Sequence, residues 1–409
     1  MIHVCFGLHD KTGHYSKFTG TAMLSLFENL ITPPQSTTVH ILHDNTLTQD
    51  NREKFVYLAG QYNQLVKFYN VEVSCADKIA EFKKLLDSIA PTRTLADLYR
   101  FLIPNVIPNE LKKIIYLDSD IIVNLDIQEF WQVNLGDSPL AVVPEMQSYV
   151  PTNPLHYLCR KGFVKAEDFF NSGVLMINLK KFRDEEENLK RGLRFRMDHP
   201  ECDGTDQSVL NYCFSTESVK LPQKFNVLVE YARMNNDFET ANRICHYITS
   251  SRGRGYGLNI RDPFNRLWMK YFVKTPWFDE ETIGRLYNGV QQMHVSLKQS
   301  MVNLSAMMSG KTRAFFILPH DIDGLKKFFS IRDDEEIILA ENQTSLQKLL
   351  DAMKKSQGKK VFFIMLPNFP FQALIQAGFV PNRDFVNGLE FLSEAQGLPL
   401  NSYQFINAM

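Results

Sequence analysis

Lys112-Lys113-Ile114-Ile115-Tyr116-Leu117-Asp118-Ser119-Asp120-Ile121-Ile122-Val123-Asn124-Leu125-Asp126 sets an apolar strand directly against two aspartates one residue apart. Side chains two apart in extended backbone point the same way, so Asp118 and Asp120 can converge on one hard cation. Carboxylates leaving the carboxyl end of a buried strand sit where open α/β sheets hold their ligands. Oxygen donors of this kind suit Mg²⁺ or Mn²⁺, which bridge a few carboxylates to the phosphates of a substrate. Taken alone, Asp-x-Asp equally describes a solvated acidic loop, so the reading rests on what surrounds it.

Strand and helix patterns alternate on either side. Ile2 to Leu8 reads as a buried strand, His9 to Tyr15 as a polar turn, and Thr21 to Leu30 as a helix by its apolar spacing. Thr38 to Leu42 resumes as strand, Gln49 to Asn63 as helix and Leu65 to Val73 as extended chain. This alternation predicts a largely parallel sheet. Leu95 to Leu102 reads as a short helix bearing Arg100 and halted by Pro104, and Leu140 to Pro144 as another strand. Asn171-Ser172-Gly173 reads as a polar turn opening onto the hydrophobic strand Val174 to Leu179, its glycine letting backbone approach a ligand. Asp206 and Gln207 project from the first turn of a helix over Val209 to Phe214, and His246 lies in a brief strand, Arg243 to Ile248. Ser250 to Gly257, with Arg252 and Arg254, has the composition of a loop that folds over phosphates or of a plain linker.

A chain of 409 residues exceeds the size at which one core keeps growing, so two domains are expected. The spacing predicts a catalytic unit over residues 1–277, a helical connector over 278–308, and a smaller Rossmann-like α/β unit over 309–409. In that last unit, strands are expected at Ala314 to Leu318, Glu336 to Ala340 and Val361 to Leu366, with helices at Ile322 to Phe329 and Thr344 to Lys355. It lacks a Gly-x-Gly-x-x-Gly turn, so a docking or oligomer-forming role is its expected use.

Composition excludes several classes. No stretch approaches the roughly 20 apolar residues that span a bilayer, and the opening residues lack a secretory pattern. A cytoplasmic protein, at most peripheral to a membrane, is expected. Six cysteines without a Cys-x-x-Cys pair argue against zinc and disulfide frameworks. A net charge of -1 gives no field that would draw in nucleic acid, which leaves small molecules and neutral glycans as partners.

Asp10 and Tyr15 in the opening loop, Tyr99-Arg100, Tyr116 to Asp120, Asn171 to Leu179, Asp206-Gln207-Ser208 and His246-Tyr247 follow one another in an order that resembles the family 8 glycosyltransferases. These are retaining enzymes of the GT-A fold, including glycogenin and bacterial lipopolysaccharide galactosyl- and glucosyltransferases. The resemblance covers about two-thirds of the chain, from Met1 to Trp277. It implies a GT-A nucleotide-diphospho-sugar transferase fold, α/β with a mixed, mostly parallel sheet. It further implies that Asp118, Asp120 and His246 ligate Mn²⁺, with Mg²⁺ as the substitute, and that UDP-glucose or UDP-galactose is the donor. Gly7, Asp10 and Tyr15 look like the uridine loop, with His9 and Asp10 both open as the base contact, and Ser119 lies near the ribose. Arg100, Asn171, Asp206 and Gln207 match positions that hold the donor sugar, Gln207 nearest the reacting carbon.

The sequence departs from the family where the histidine segment normally runs on to a phosphate-binding lysine. Thr249 stands for a glycine, Arg252 takes the lysine's offset, and Gly253-Arg254 replace Pro-Trp. Arginine binds phosphate bidentately, so Arg252 or Arg254 is the expected substitute. The acceptor is expected to be a glycan, lipid-linked or protein-linked. Asp206 is the carboxylate placed for a double displacement; a same-face substitution asks only for metal, cation and positioning. A nucleotidyltransferase and a silent scaffold are the alternatives, the first weakened by a His9 to Tyr15 loop with one glycine.

Overall fold

The computed structural model describes residues 1–13, 15–31, 37–90, 93–145, 156–248, 262–284, 288, 308–319, 332, 335–341, 345–366 and 369–388. They fall in two compact units, 1–279 and 280–409.

The first unit is built on a seven-stranded sheet in the order β3-β2-β1-β4-β7-β6-β8. Its strands are β1 (Ile2–Leu8), β2 (Thr37–His43), β3 (Leu65–Asn70), β4 (Lys113–Leu117), β6 (Leu140–Pro144), β7 (Phe170–Asn178) and β8 (Val219–Lys220). The first four run parallel, and β7 runs antiparallel to both β4 and β6. Apolar groups cover both faces, which is why β1 reads as a nearly continuous hydrophobic run. Val4, Phe6 and Leu8 join a core with the helices Ser16–Glu28 and Pro263–Phe272, whereas Cys5 points into a second core with Leu98, Tyr99 and Phe101.

A small sheet of β5 (Ile121–Asn124), β10 (Arg243–His246) and β9 (Val227–Leu228) lies beyond the end of β4. Between β4 and β5 the chain leaves one sheet and enters the other, and Asp118-Ser119-Asp120 is that crossing. Antiparallel pairing of β10 with β5 sets His246 opposite Ile121, and the Tyr247 N–H donates to the Asp120 carbonyl at 2.9 Å. His246 and Asp120, 126 positions apart in sequence, are thereby brought side by side by backbone pairing.

Several elements differ from expectation, each for a local reason. The helix expected from Thr21 starts at Ser16 because the Asp10 carboxylate accepts the N–H groups of Tyr15 and Ser16, satisfying orphan donors of the first turn. Extended chain stops at Asn70, whose side chain accepts the Glu72 N–H and starts the short helix Val71–Ser74. Leu95–Leu102 is a 3₁₀ helix, and Pro104 does not halt the chain there. It occupies the first turn of the helix Ile103–Val106, where a missing N–H costs nothing. Asn171-Ser172-Gly173 is no turn but the start of β7, with the Asp118 N–H donating to the Gly173 carbonyl at 2.8 Å.

The second unit holds four parallel strands in the order β12-β11-β13-β14: β11 (Thr312–Ile317), β12 (Glu336–Leu339), β13 (Lys360–Ile364) and β14 (Phe385–Asn387). Helix Ser345–Ser356 packs Leu349 and Met353 against Phe316, Phe362 and Ile364. The three-residue β14 was not expected, being too short to show a period. The expected helix Ile322 to Phe329 and most of the expected connector 278–308 lie outside the described residues. Among the described residues no helix is long and apolar enough to cross a membrane.

Candidate active site

Asp118, Asp120 and His246 bring their ligand atoms within 4.8 Å of one another. Nε2 of His246 stands 3.3 Å from Asp120 Oδ1 and 3.8 Å from Asp118 Oδ2. Two carboxylates and an imidazole suit a divalent ion of borderline-to-hard character. The floor of this cradle is Gly173. A Cβ there would lie 2.3 Å from His246 Cε1 and 2.6 Å from Asp118 Oδ2, so only glycine leaves the three donors their room. His246 is 2% exposed, and its Nδ1 is 3.0 Å from Asn226 Oδ1. The residues present therefore fit a divalent ion.

Behind the cradle lies Arg100, 5% exposed and charged. Nη2 pairs with Asp118 Oδ1 at 2.9 Å, Nη1 with Asp206 Oδ2 at 3.0 Å, and Nη1 also donates to the Ser172 carbonyl. The guanidinium stacks 4.5 Å above the ring of Tyr116, whose hydroxyl donates to Asp118 Oδ1 at 2.8 Å. Burial works against the charge on Arg100, but the Asp118 and Asp206 carboxylates outweigh it and hold the guanidinium protonated. Asp97 nearby is pushed up to about 6, first by burial and then by the charge of Asp206. Asp206 also accepts from Ser172 Oγ at 2.6 Å, so its carboxylate is engaged on both sides.

Asn171 and Gln207 meet, Asn171 Nδ2 donating to Gln207 Oε1 at 3.1 Å. Two partners were missed by sequence reasoning. Asn226 donates to Asn171 Oδ1 at 2.9 Å, and Glu145 accepts from Gln207 Nε2 at 3.1 Å while also meeting His156 Nε2 and the Tyr231 hydroxyl. The one sequence signal for Asn226 is a polar residue between Phe225 and Val227, and that signal is common. A cavity of about 160 Å³ opens beside these groups, lined among others by Glu145, Asn171, Gln223, Asn226, Tyr231 and Arg243.

The opening loop is tied internally by Asp10. Asp10 is 2% exposed, and its carboxylate takes the Tyr15 and Ser16 N–H groups, the Ser16 hydroxyl and Asn51 Nδ2. These bonds tie the loop to the start of the helix Ser16–Glu28 and to Asn51. His9 Nδ1 lies 2.5 Å from Asp44 Oδ2, which Tyr99 also reaches at 2.9 Å. Burial opposes ionisation of Asp44, yet hydrogen bonds from His9, Thr46 and Tyr99 hold it below its usual range. Tyr15 is half-buried against Phe18. Ser119 is buried with its Oγ 2.7 Å from Thr19 Oγ1 and 3.5 Å from the Gly7 carbonyl, so β1 and the Asp-Ser-Asp crossing touch. Arg252 and Arg254 lie outside the described residues.

Residues 9–252 match the family model described as glycosyl transferase family 8, which is more than half of the chain. A Haemophilus influenzae protein bearing a glycosyltransferase name is 27% identical over 172 residues, 42% of this chain and 48% of its own length. The lipopolysaccharide 1,2-glucosyltransferase of Escherichia coli is 24% identical over 254 residues, 58% of this chain and 67% of its own. This chain thus spans about half the length of the first of these relatives. The galactosyltransferase LgtC, solved with donor and acceptor sugar analogs, superposes with a TM-score of 0.54 at 18% identity, covering 69% of this chain and 99% of its own. That likeness establishes the fold as GT-A.

Proposed function

This chain belongs to glycosyl transferase family 8, and from that premise we propose that it moves glucose or galactose from a UDP-sugar to a glycan or glycoconjugate acceptor, with retention at the anomeric carbon. The observation that carries the reading is the Asp118–Asp120–His246 cradle with Gly173 as its floor. A lipopolysaccharide glucosyltransferase among the relatives and a galactosyltransferase among the solved structures support a hexose.

Asp118, Asp120 and His246 Nε2 would hold Mn²⁺, or Mg²⁺ in its place, whose charge offsets that developing on a departing diphosphate. The remaining work falls to side chains of this chain. Gly7 and Ser119, in contact with each other, line the donor nucleoside, with Tyr15 and the His9 ring at the loop's outer side. Arg252 or Arg254 would bind the diphosphate. Arg100 fixes Asp118 and Asp206 relative to each other, and Asp206, Asn171 and Gln207 form the wall against the sugar. Asp206 carries an arginine and a serine hydroxyl, which lowers its electron density as a nucleophile. This supports the same-face substitution, in which the leaving phosphate takes the acceptor's proton, over a covalent intermediate on Asp206. The cavity beside Glu145 and Tyr231 is offered as the acceptor's entrance, its hydroxyl-binding groups set in partly apolar walls. The smaller C-terminal unit is assigned a docking or oligomer-forming role, and the protein a cytoplasmic place, at most peripheral to a membrane.

The test is UDP release from a panel of UDP-sugars with and without Mn²⁺, with the anomer of the product read by NMR. Asp120→Ala should reduce turnover to background while leaving circular dichroism unchanged, since a rim carboxylate is not a packing group. Absence of turnover with every donor, together with no Mn²⁺-dependent UDP binding, would sink the proposal.

A further inference from the structure

We infer that Asn226 is a positioning residue that decides which nitrogen of His246 is free for a cation, and that backbone N–H groups of β7 dictate its orientation through Asn171. The inference rests on the metal-dependent reading above.

A backbone N–H can only donate. That of Gly173 points at Asn171 Oδ1 at 3.0 Å, and that of Ser172 at Gln207 Oε1 at 3.3 Å, so both side-chain atoms must be carbonyl oxygens. Asn171 accordingly turns its NH₂ group to Gln207 Oε1, 3.1 Å away. Asn226 lies 2.9 Å from Asn171 Oδ1 and must offer its own NH₂ there. What Asn226 has left is its oxygen, 3.0 Å from His246 Nδ1. An oxygen there requires a proton on Nδ1, and a neutral imidazole so protonated carries its lone pair on Nε2. Nε2 is the nitrogen that faces Asp118 and Asp120 at 3.8 and 3.3 Å.

The far end of the chain closes consistently. The NH₂ of Gln207 goes to Glu145 Oε2 at 3.1 Å, and an ionised carboxylate only accepts. Four hydrogen bonds thus run in one direction from the imidazole to Glu145. Reversing any one amide would set donor against donor or oxygen against oxygen among groups that are mostly buried, Asn226 and His246 each being 2% exposed. Metal-binding histidines are commonly oriented by a single acceptor on the second nitrogen. Here that acceptor is itself an amide whose orientation is fixed by main chain on a different sheet.

The experiment uses the full chain without nucleotide. Long-range proton–nitrogen correlation on metal-free protein with isotope-labelled histidine should show a proton on His246 Nδ1; a bare Nδ1 with the proton on Nε2 in the wild type overturns the inference. Mn²⁺ alone is then titrated by electron paramagnetic resonance. Asn226→Leu, matched in size but without an acceptor, should bind Mn²⁺ about 10–100-fold more weakly and show mixed tautomers. Asn226→Asp sets an oxygen against Asn171 Oδ1 but keeps an oxygen on Nδ1, and should bind Mn²⁺ more tightly than Asn226→Leu. Asn226→Leu binding within about threefold of the wild type, or Asn226→Asp as weak as Asn226→Leu, overturns the inference. Should Asn226→Leu fail to fold, the wild-type spectrum still decides. A wild type that binds no Mn²⁺ defeats the metal reading, whereas the metal-free spectrum still reports the tautomer, so the two failures are told apart.

Discussion

Replacing Gly173 by alanine adds one methyl group at the point where the whole site meets. The new Cβ would stand 2.3 Å from His246 Cε1, whereas carbon atoms make contact at about 3.5 Å, so about 1.2 Å must be found somewhere. His246 cannot easily yield, being buried with Nδ1 tied to Asn226. Asp118, 2.6 Å from the same Cβ, is tied to Arg100 and Tyr116. The backbone of Gly173 is not left-handed, so alanine imposes no conformational strain of its own. Overpacking of this kind costs about 1–3 kcal/mol, which a domain of this size tolerates. Displacing a catalytic group by about 1 Å costs on the order of 100-fold in rate. Gly173→Ala should therefore keep its circular dichroism spectrum, lose Mn²⁺ affinity measured by electron paramagnetic resonance, and lose about 100-fold in Mn²⁺-dependent UDP release. Turnover and Mn²⁺ affinity within about threefold of the wild type would refute the reasoning, because the three donors would then not share one tight space.

Two further outcomes follow from buried charge. Asp206→Asn takes one of the two carboxylates from a buried Arg100 and should destabilise the first unit by about 1–3 kcal/mol in urea denaturation; an unchanged midpoint would mean that Asp118 alone balances the guanidinium. His40 is buried between His3 and Tyr69, and burial first, then the charges of His3 and Lys67, lowers it to about 3. The unfolded chain takes up that proton near its ordinary value of 6.5 while the folded chain does not, so stability is lost as pH falls from 6.5 toward 3. The loss from this group should approach about 1.4 kcal/mol per pH unit, and His40→Gln should remove about one proton from the measured slope. An identical pH dependence in that variant would show that His40 titrates alike in both states.

The alternating apolar runs determined a mostly parallel α/β sheet, because a strand covered on both faces must be apolar along its length, as β1 is. Asp118 and Asp120 do share a side, but not through the two-residue period expected of an extended chain: β4 ends at Leu117 and β5 begins at Ile121, so the pair sits in the bend between the two sheets. Short-range chemistry was less legible. Asp10, an acidic residue beside a loop, proved to be the internal tie of that loop, and Asn171-Ser172-Gly173, which has turn composition, proved to be strand. For Asn171-Ser172-Gly173 a partner distant in sequence decides, the Asp118 N–H meeting the Gly173 carbonyl; for Asp10 local bonds from Tyr15 and Ser16 are joined by one from distant Asn51.

Tertiary structure alone decided what joins the two aspartates to the rest. His246 stands beside them because β10 pairs antiparallel with β5, a register written in backbone hydrogen bonds and not in any local pattern. Asn226 and Glu145 enter the site through side-chain amides whose directions are set by main chain brought in from β7. A linear sequence records which groups can donate and accept; which donor meets which acceptor is settled only when packing removes the water that would otherwise satisfy them all.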